Sequence, residues 1–185
     1  MPLHKLTIAT AMAATLALGA CNEKGGNTAP KSEAAKEAAG DSTIAAGLGD
    51  ATKFAAAAKS TGLDATLAGP GPYTVLVPTD AAFDKLPAGA LDTLMKDEGR
   101  QELTGILTYH ILPGAVLAED INKAIEAGKG KALLATMAGG TLTATKEGDA
   151  IVIADAAGGK ARITKSDDKR SNGVIHHVDA VLMPS

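Results

Sequence analysis

Two histidines and an aspartate fall within four positions of one another in Ile175-His176-His177-Val178-Asp179. Imidazole and carboxylate at this density are the raw material of a metal site or a proton relay. Their spacing argues against a joint site. Side chains on a strand alternate between its faces, so His176 goes with Val174 and Val178, and His177 with Ile175 and Asp179. The two rings then point apart and cannot grip one ion through a regular strand. His176, between valines, is expected buried, with its ring nitrogens bonded to backbone or to a tyrosine. His177 and Asp179 are expected as an exposed or partly exposed pair. A metal or pH-sensing role for that pair needs a third ligand that the sequence does not supply.

Three further places carry usable groups. Tyr109-His110 is read as extended chain, the phenol packing and bonding while His110 donates to a carbonyl and locks the loop that begins at Pro113-Gly114. Thr79 and Asp80 follow a proline-bounded strand and suit helix caps, each worth roughly 1 kcal/mol, or contact residues. Asn172-Gly173 reads as a turn or bulge before the last strand. The mixed run Lys165 to Asn172, KSDDKRSN, is expected to be a solvated loop, with a contact patch as the alternative. Gly158-Gly159-Lys160 lacks the spacing of a phosphate-binding loop. No Gly-x-Ser-x-Gly or His-Glu-x-x-His occurs, so an enzyme reading has no positive support.

The remaining candidate is Cys21, the single cysteine of the chain. Alone it makes no intrachain disulfide and no cysteine-rich zinc site. Before it, residues 1–20 carry Lys5, an uncharged apolar run from Leu6 to Leu18, and the small pair Gly19-Ala20. That is a secretory signal pattern. Leu18-Gly19-Ala20-Cys21 resembles a bacterial lipobox, which implies cleavage before Cys21 and acylation of its thiol. Several acyl chains, at about 0.8 kcal/mol per buried CH₂, make a stable anchor. The expected location is the cell envelope: lipid-anchored, at the periplasmic face, the outer membrane or the cell surface. Asn22 to Gly40 contains no Val, Ile, Leu or aromatic residue, so it cannot build a core. Residues 21–40 are expected to form a flexible tether, reaching about 60–70 Å if extended and about 25 Å as a coil.

The elements that must position these groups begin at Asp41. With 18 Lys plus Arg against 21 Asp plus Glu, the net charge of −3 offers no basic field for nucleic acid. Aromatic residues at 2% leave few rings for stacking bases. Phe54, Ala57 and Ala58 share a helix face that Gly62 ends. Tyr73 to Val77 is a strand. A helix is expected from Asp97 or Glu98 to Leu107, and another over VLAEDINKAIEAGK. Five β-type segments follow, separated by Gly-, Asp- or Lys-rich turns and ending in GVIHHVDAVLM. Helices followed by a run of strands indicate an α+β class.

Three blocks together carry a family resemblance. Tyr73-Thr-Val-Leu-Val-Pro-Thr-Asp-Ala-Ala-Phe83 is similar to the first signature motif of fasciclin domains. Leu107-Thr-Tyr-His-Ile-Leu-Pro-Gly114 resembles their central Tyr-His motif, and Ser171 to Pro184 resembles their closing motif. The likeness covers residues 41–185. It implies one fasciclin domain, a β-sandwich-like wedge of short strands with a cluster of helices. His177 departs from it, since the family usually places an apolar residue after the closing histidine. In the family the Tyr-His pair is discussed both as structural and as an adhesion determinant. The resemblance implies a membrane-anchored module for adhesion, meeting a protein or polysaccharide, with no cofactor. The alternatives are a carrier of a hydrophobic small molecule such as a carotenoid and, more remotely, a metal-dependent enzyme using His177 and Asp179.

Overall fold

The computed structural model describes residues 40–184. The expected signal peptide, Cys21 and all of the expected tether but Gly40 lie outside the described residues. The described residues make one compact unit.

A 3-10 turn at Ala45–Asp50 leads into α1 (Thr52–Thr61), which ends at Gly62 in the left-handed conformation with φ 77°. Gly62 tolerates that geometry because it has no Cβ. Then come α2 (Leu63–Ala68), β1 (Tyr73–Pro78), α3 (Asp80–Phe83) and α4 (Ala90–Leu94). A second 3-10 turn at Asp97–Gly99 precedes α5 (Arg100–Tyr109). The rest of the chain is β2 (Ile111–Pro113), α6 (Ala118–Ala127), β3 (Ala132–Ala135), β4 (Thr141–Glu147), β5 (Ala150–Ala154), β6 (Lys160–Arg170) and β7 (Gly173–Val178).

The seven strands form a single mixed sheet in the order β2-β1-β7-β6-β5-β4-β3. Its centre is a parallel pair, β1 and β7, in register from Tyr73 opposite Gly173 to Pro78 opposite Val178. The other pairings are antiparallel. The Met137 amide donates to the Ile111 carbonyl at 2.8 Å, which draws the exit of β3 toward β2 and curls the sheet into a near-barrel.

Both faces of the central pair are buried. Val75, Val77 and Ile175 face the helices, packing with Ile44, Phe54, Leu67, Leu103 and Leu107. Leu76 and Val178 join Tyr109, Leu112, Ile121, Leu142 and Ile153 in a second core within the curled sheet. A strand covered on both sides reads as an unbroken apolar run, as Val75-Leu76-Val77 does.

The α+β class stands, and three local readings need correction. Tyr109 ends α5 and His110 caps it in helical geometry, so neither lies on extended chain. The β-forming residue types are overridden because Leu103, Ile106, Leu107 and Tyr109 bury one helical face. The charged run from Lys165 is not a loop, since as far as Arg170 it belongs to β6. Its pairing with β7 slips between Ile163 and Lys165 and again between Lys165 and Asp168. The last strand stops at Val178, so Asp179 lies beyond it.

Ile175 is fully buried in the centre of the sheet. Ile175→Ala should cost about 3 kcal/mol of unfolding free energy, read from the shift of the urea midpoint. An unchanged midpoint would mean that β7 is not central.

Candidate functional site

The polar residues singled out above are mostly inside the molecule, and all but His177 are bonded to backbone through their side chains. Asn172 does the most. Its Oδ1 accepts the Ile44 amide at 2.8 Å, and its Nδ2 donates to the Leu67 and Gly69 carbonyls, both at 2.8 Å. One side chain thereby ties the domain's entry and the end of α2 to the start of β7. The crossing is tight: a Cβ on Gly173 would collide with the Tyr73 carbonyl, and one on Gly71 with the Asn172 carbonyl.

His110 is fully buried. Its Nε2 lies 3.1 Å from the Leu182 amide, which must donate, so Nδ1 carries the proton and donates to Ile106 O at 2.8 Å. The Phe54 ring and the imidazole pack edge to face, 6.5 Å between centroids. Desolvation pushes the His110 pKa down to about 4. The carbonyl it meets is within its own helix, and what it holds is the chain after β7 rather than the loop at Pro113-Gly114. Tyr109, also buried, donates its hydroxyl to Thr141 O at 3.2 Å.

His176 is a second neutral clamp. Nδ1 accepts the Asp167 amide at 3.2 Å, so Nε2–H donates to Val116 O at 2.9 Å. Burial lowers its pKa. It joins the irregular stretch of β6 to the segment that enters α6. The same junction is closed by Asp167 Oδ1, which accepts the Ala118 amide at 2.8 Å.

His177 turns to the opposite face, as alternation requires. It is buried, only 9% exposed, so the expectation of an exposed or partly exposed pair with Asp179 is corrected. The carboxylate it approaches is Asp168, at 4.0 Å, which Arg170 already holds at 2.7 Å. Burial lowers the His177 pKa, and nearby Lys165 lowers it further against the pull of Asp168. Asp179 accepts the Arg162 amide at 2.7 Å and receives Lys85 Nζ at its carbonyl at 2.6 Å. Among the described residues no three His, Cys, Asp or Glu side chains are placed to hold one metal ion.

Thr79 and Asp80 are half-buried. Thr79 Oγ1 accepts the Ala82 amide at 3.3 Å and caps α3. Asp80 caps a different helix. Its carboxylate accepts Thr52 Oγ1 at 2.6 Å and the Lys53 amide at 3.0 Å, at the start of α1, where Ala51 has no capping side chain. These bonds, the Thr52 hydroxyl first, hold its pKa below the usual carboxylate range. Beside it, Lys53 pairs with Asp84, and a shallow cleft of about 220 Å³ runs past Phe83, Leu86 and Leu91.

Two positioning residues escape the motif reading. Asp155 accepts the Gly159 amide at 2.6 Å and the Met183 amide at 2.9 Å, so a hairpin aspartate helps pin the chain's last turn. Thr74 accepts the Val116 amide at 2.8 Å and donates to Gly114 O at 2.7 Å. The Asp-Ala-Ala-Gly-Gly pattern marks the turn at Asp155, but nothing in it points to Met183.

Of the histidines of the three blocks, His110 and His176 thus serve the frame, and the comparisons agree on which frame it is. The profile of the fasciclin domain matches residues 49–184. The chain belongs to the fasciclin-domain family. This fasciclin domain is 36% identical over 163 residues to protein sll1483 of Synechocystis, covering 85% of this chain and 83% of that one. It is 34% identical to human periostin over 73% of this chain, which spans 15% of periostin's length. Cell surface glycolipoprotein MPB83 of Mycobacterium bovis is 34% identical over 62% of this chain and 44% of its own. Among solved structures, a FAS1 domain pair from the insect cell adhesion molecule Fasciclin I superposes with a TM-score of 0.56. That match has 22% identity and covers 71% of this chain and 44% of that one, a likeness of fold.

Asn172→Ala should lower stability by about 3 kcal/mol, because it strands three backbone groups, two of them carbonyls, around a buried site. Chemical denaturation measures it, and a loss under about 1 kcal/mol would remove Asn172 from this role. Acid provides a second test. The unfolded state takes up a proton near pH 6.5, whereas folded His110 resists until about pH 4. Stability from this group is therefore complete above about pH 7 and falls as pH drops through that window, by about 3 kcal/mol. Urea midpoints between pH 7.5 and 4 should show the slope, shallower in His110→Gln. Equal slopes would assign the acid response elsewhere.

Proposed function

We propose that this fasciclin domain works outside the cytoplasm, held to a membrane by lipid on Cys21, as an adhesion module that meets a protein or polysaccharide of the envelope or of a neighbouring cell. The observation that carries the reading is how the motif residues are used. Asn172, Tyr109, His110, His176 and His177 are buried, and all but His177 spend their hydrogen bonds on the domain's own backbone. The four so bonded offer no nucleophile or free base to a substrate, and His177 is buried beside the Asp168–Arg170 pair. What remains for a partner is surface. One relative bears a name that fits, a cell surface glycolipoprotein.

The contact surface that fits this reading lies beside the first motif. Lys53, Asp84, Lys85 and Asp179 set both signs of charge next to the cleft at Phe83 and Leu86. Aromatic anchors are scarce, so each contact is weak and many anchored copies act together.

Two measurements test the proposal. Cells labelled with a palmitate analogue should mark the wild type and not Cys21→Ser, which should move to the soluble fraction. Affinity capture from the native envelope should retain a protein or glycan, and Asp84→Lys with Lys85→Glu should weaken it at least fivefold without changing the urea midpoint. Unlabelled wild type would end the lipid reading. Capture of nothing, or capture unaffected by the charge reversals, would end the contact reading.

A further inference from the structure

Among the described residues the exposed large apolar side chains are Leu133, at 74%, and Met137, at 44%. Isolated exposed apolar residues need no explanation. These two are four positions apart, on and just after β3, the outermost strand of the sheet. Leu133 also borders an open groove of about 480 Å³, which continues along Ala124, Gly128 and Ala132 between α6 and β3. Sheet edges are commonly guarded by charge placed on the strand itself. Here the cations stand to one side. Lys129 and Lys131, both exposed, precede the strand in Lys-Gly-Lys-Ala-Leu-Leu, after the turn that ends α6. The carboxylate nearest in sequence is exposed Glu126, so the lysines outnumber it.

Lys131 lines the apolar groove with Leu133, and Lys129 lies two residues before it, so cations at the groove's entry and projecting apolar side chains match the layering of a bilayer surface, phosphate outside and acyl chain beneath. A second consideration comes from chain length. Residues 22–39 can span about 60 Å when extended, enough for any face of the domain to reach a membrane. A tether of that length does not choose a face, so the choice falls to the surface.

We propose that the β3 edge is the face this domain lays on an anionic phospholipid bilayer, Leu133 and Met137 entering the acyl boundary while Lys129 and Lys131 meet headgroup phosphates. This rests on the membrane-side placement proposed above and adds which face is turned down. Each lysine near an anionic surface is worth about a fivefold change in partitioning. The two together give up to about 25-fold, sensitive to salt.

The test uses residues 22–185, which contain the whole compact unit and lack Cys21. Flotation is measured with vesicles of phosphatidylglycerol and phosphatidylethanolamine, and with pure phosphatidylcholine. The expected result is binding to the anionic vesicles that falls several-fold in 0.5 M salt. Leu133→Asp with Met137→Ser should reduce it at least tenfold, and Lys129→Glu with Lys131→Glu should abolish the preference for anionic lipid, urea midpoints unchanged. Equal flotation of wild type and variants would overturn the proposal, as would equal binding to both kinds of vesicle. So would a dimer in sedimentation velocity that Leu133→Asp dissolves while vesicles go unbound, for then the edge pairs copies of the chain. Because the assay contains no Cys21, it can fail while acylation is confirmed, and the reverse.

Discussion

A polar group sealed away from water must find a partner or cost the fold several kcal/mol, and the doubly covered pair β1 and β7 makes that demand hard to meet. Helices close one face of the pair and the curled sheet the other. The ends of the pair and the loops packed against it still carry amides and carbonyls. Asn172 meets three such groups, while His110 and His176 each meet two. The motif residues are therefore best understood as answers to a satisfaction problem. Their chemistry is used up in holding loops to the central strands.

This also explains why the histidines are neutral. Each ring accepts from one amide and donates to one carbonyl, which only the uncharged tautomer can do. A protonated ring would confront an amide with a second donor in a dry place. Burial and bonding pattern push the same way, and the lowered pKa values express both. His177 obeys a different logic. Its neighbours are Asp168, Lys165 and Arg170 on β6, so its state depends on a balance of charges as well as on burial.

Much of the fold was legible where periodicity or backbone chemistry leaves one answer. Gly62 ends α1, and Val75-Leu76-Val77 is a central strand. Alternation placed His176 and His177 on opposite faces, and the three blocks together pointed to the fasciclin fold. The failures share a cause, which is that long-range packing decided them. Tyr109 and His110 look like strand residues, yet α5 runs through to Tyr109 because its buried face continues that far. KSDDKRSN looks like a loop, yet β7 supplies a partner for most of it. Asp179 was assigned to His177 by counting along a strand that had already ended, and it binds the backbone of Arg162 instead. Asp80 was read as a cap correctly in kind, but the helix it caps begins 28 residues earlier at Thr52.

The parallel pairing of β1 with β7 joins residues 73–78 to residues 173–178. A strand laid down early therefore has to wait for one that arrives about a hundred residues later. His110 and Asp155 wait for partners that come later still in the chain, Leu182 and Met183, 72 and 28 residues on. Until residues 173–178 have been made, neither core can close around its centre, and such distant contacts form slowly. The domain therefore cannot lock piecemeal, and the arrival of β7 settles the whole of it at once.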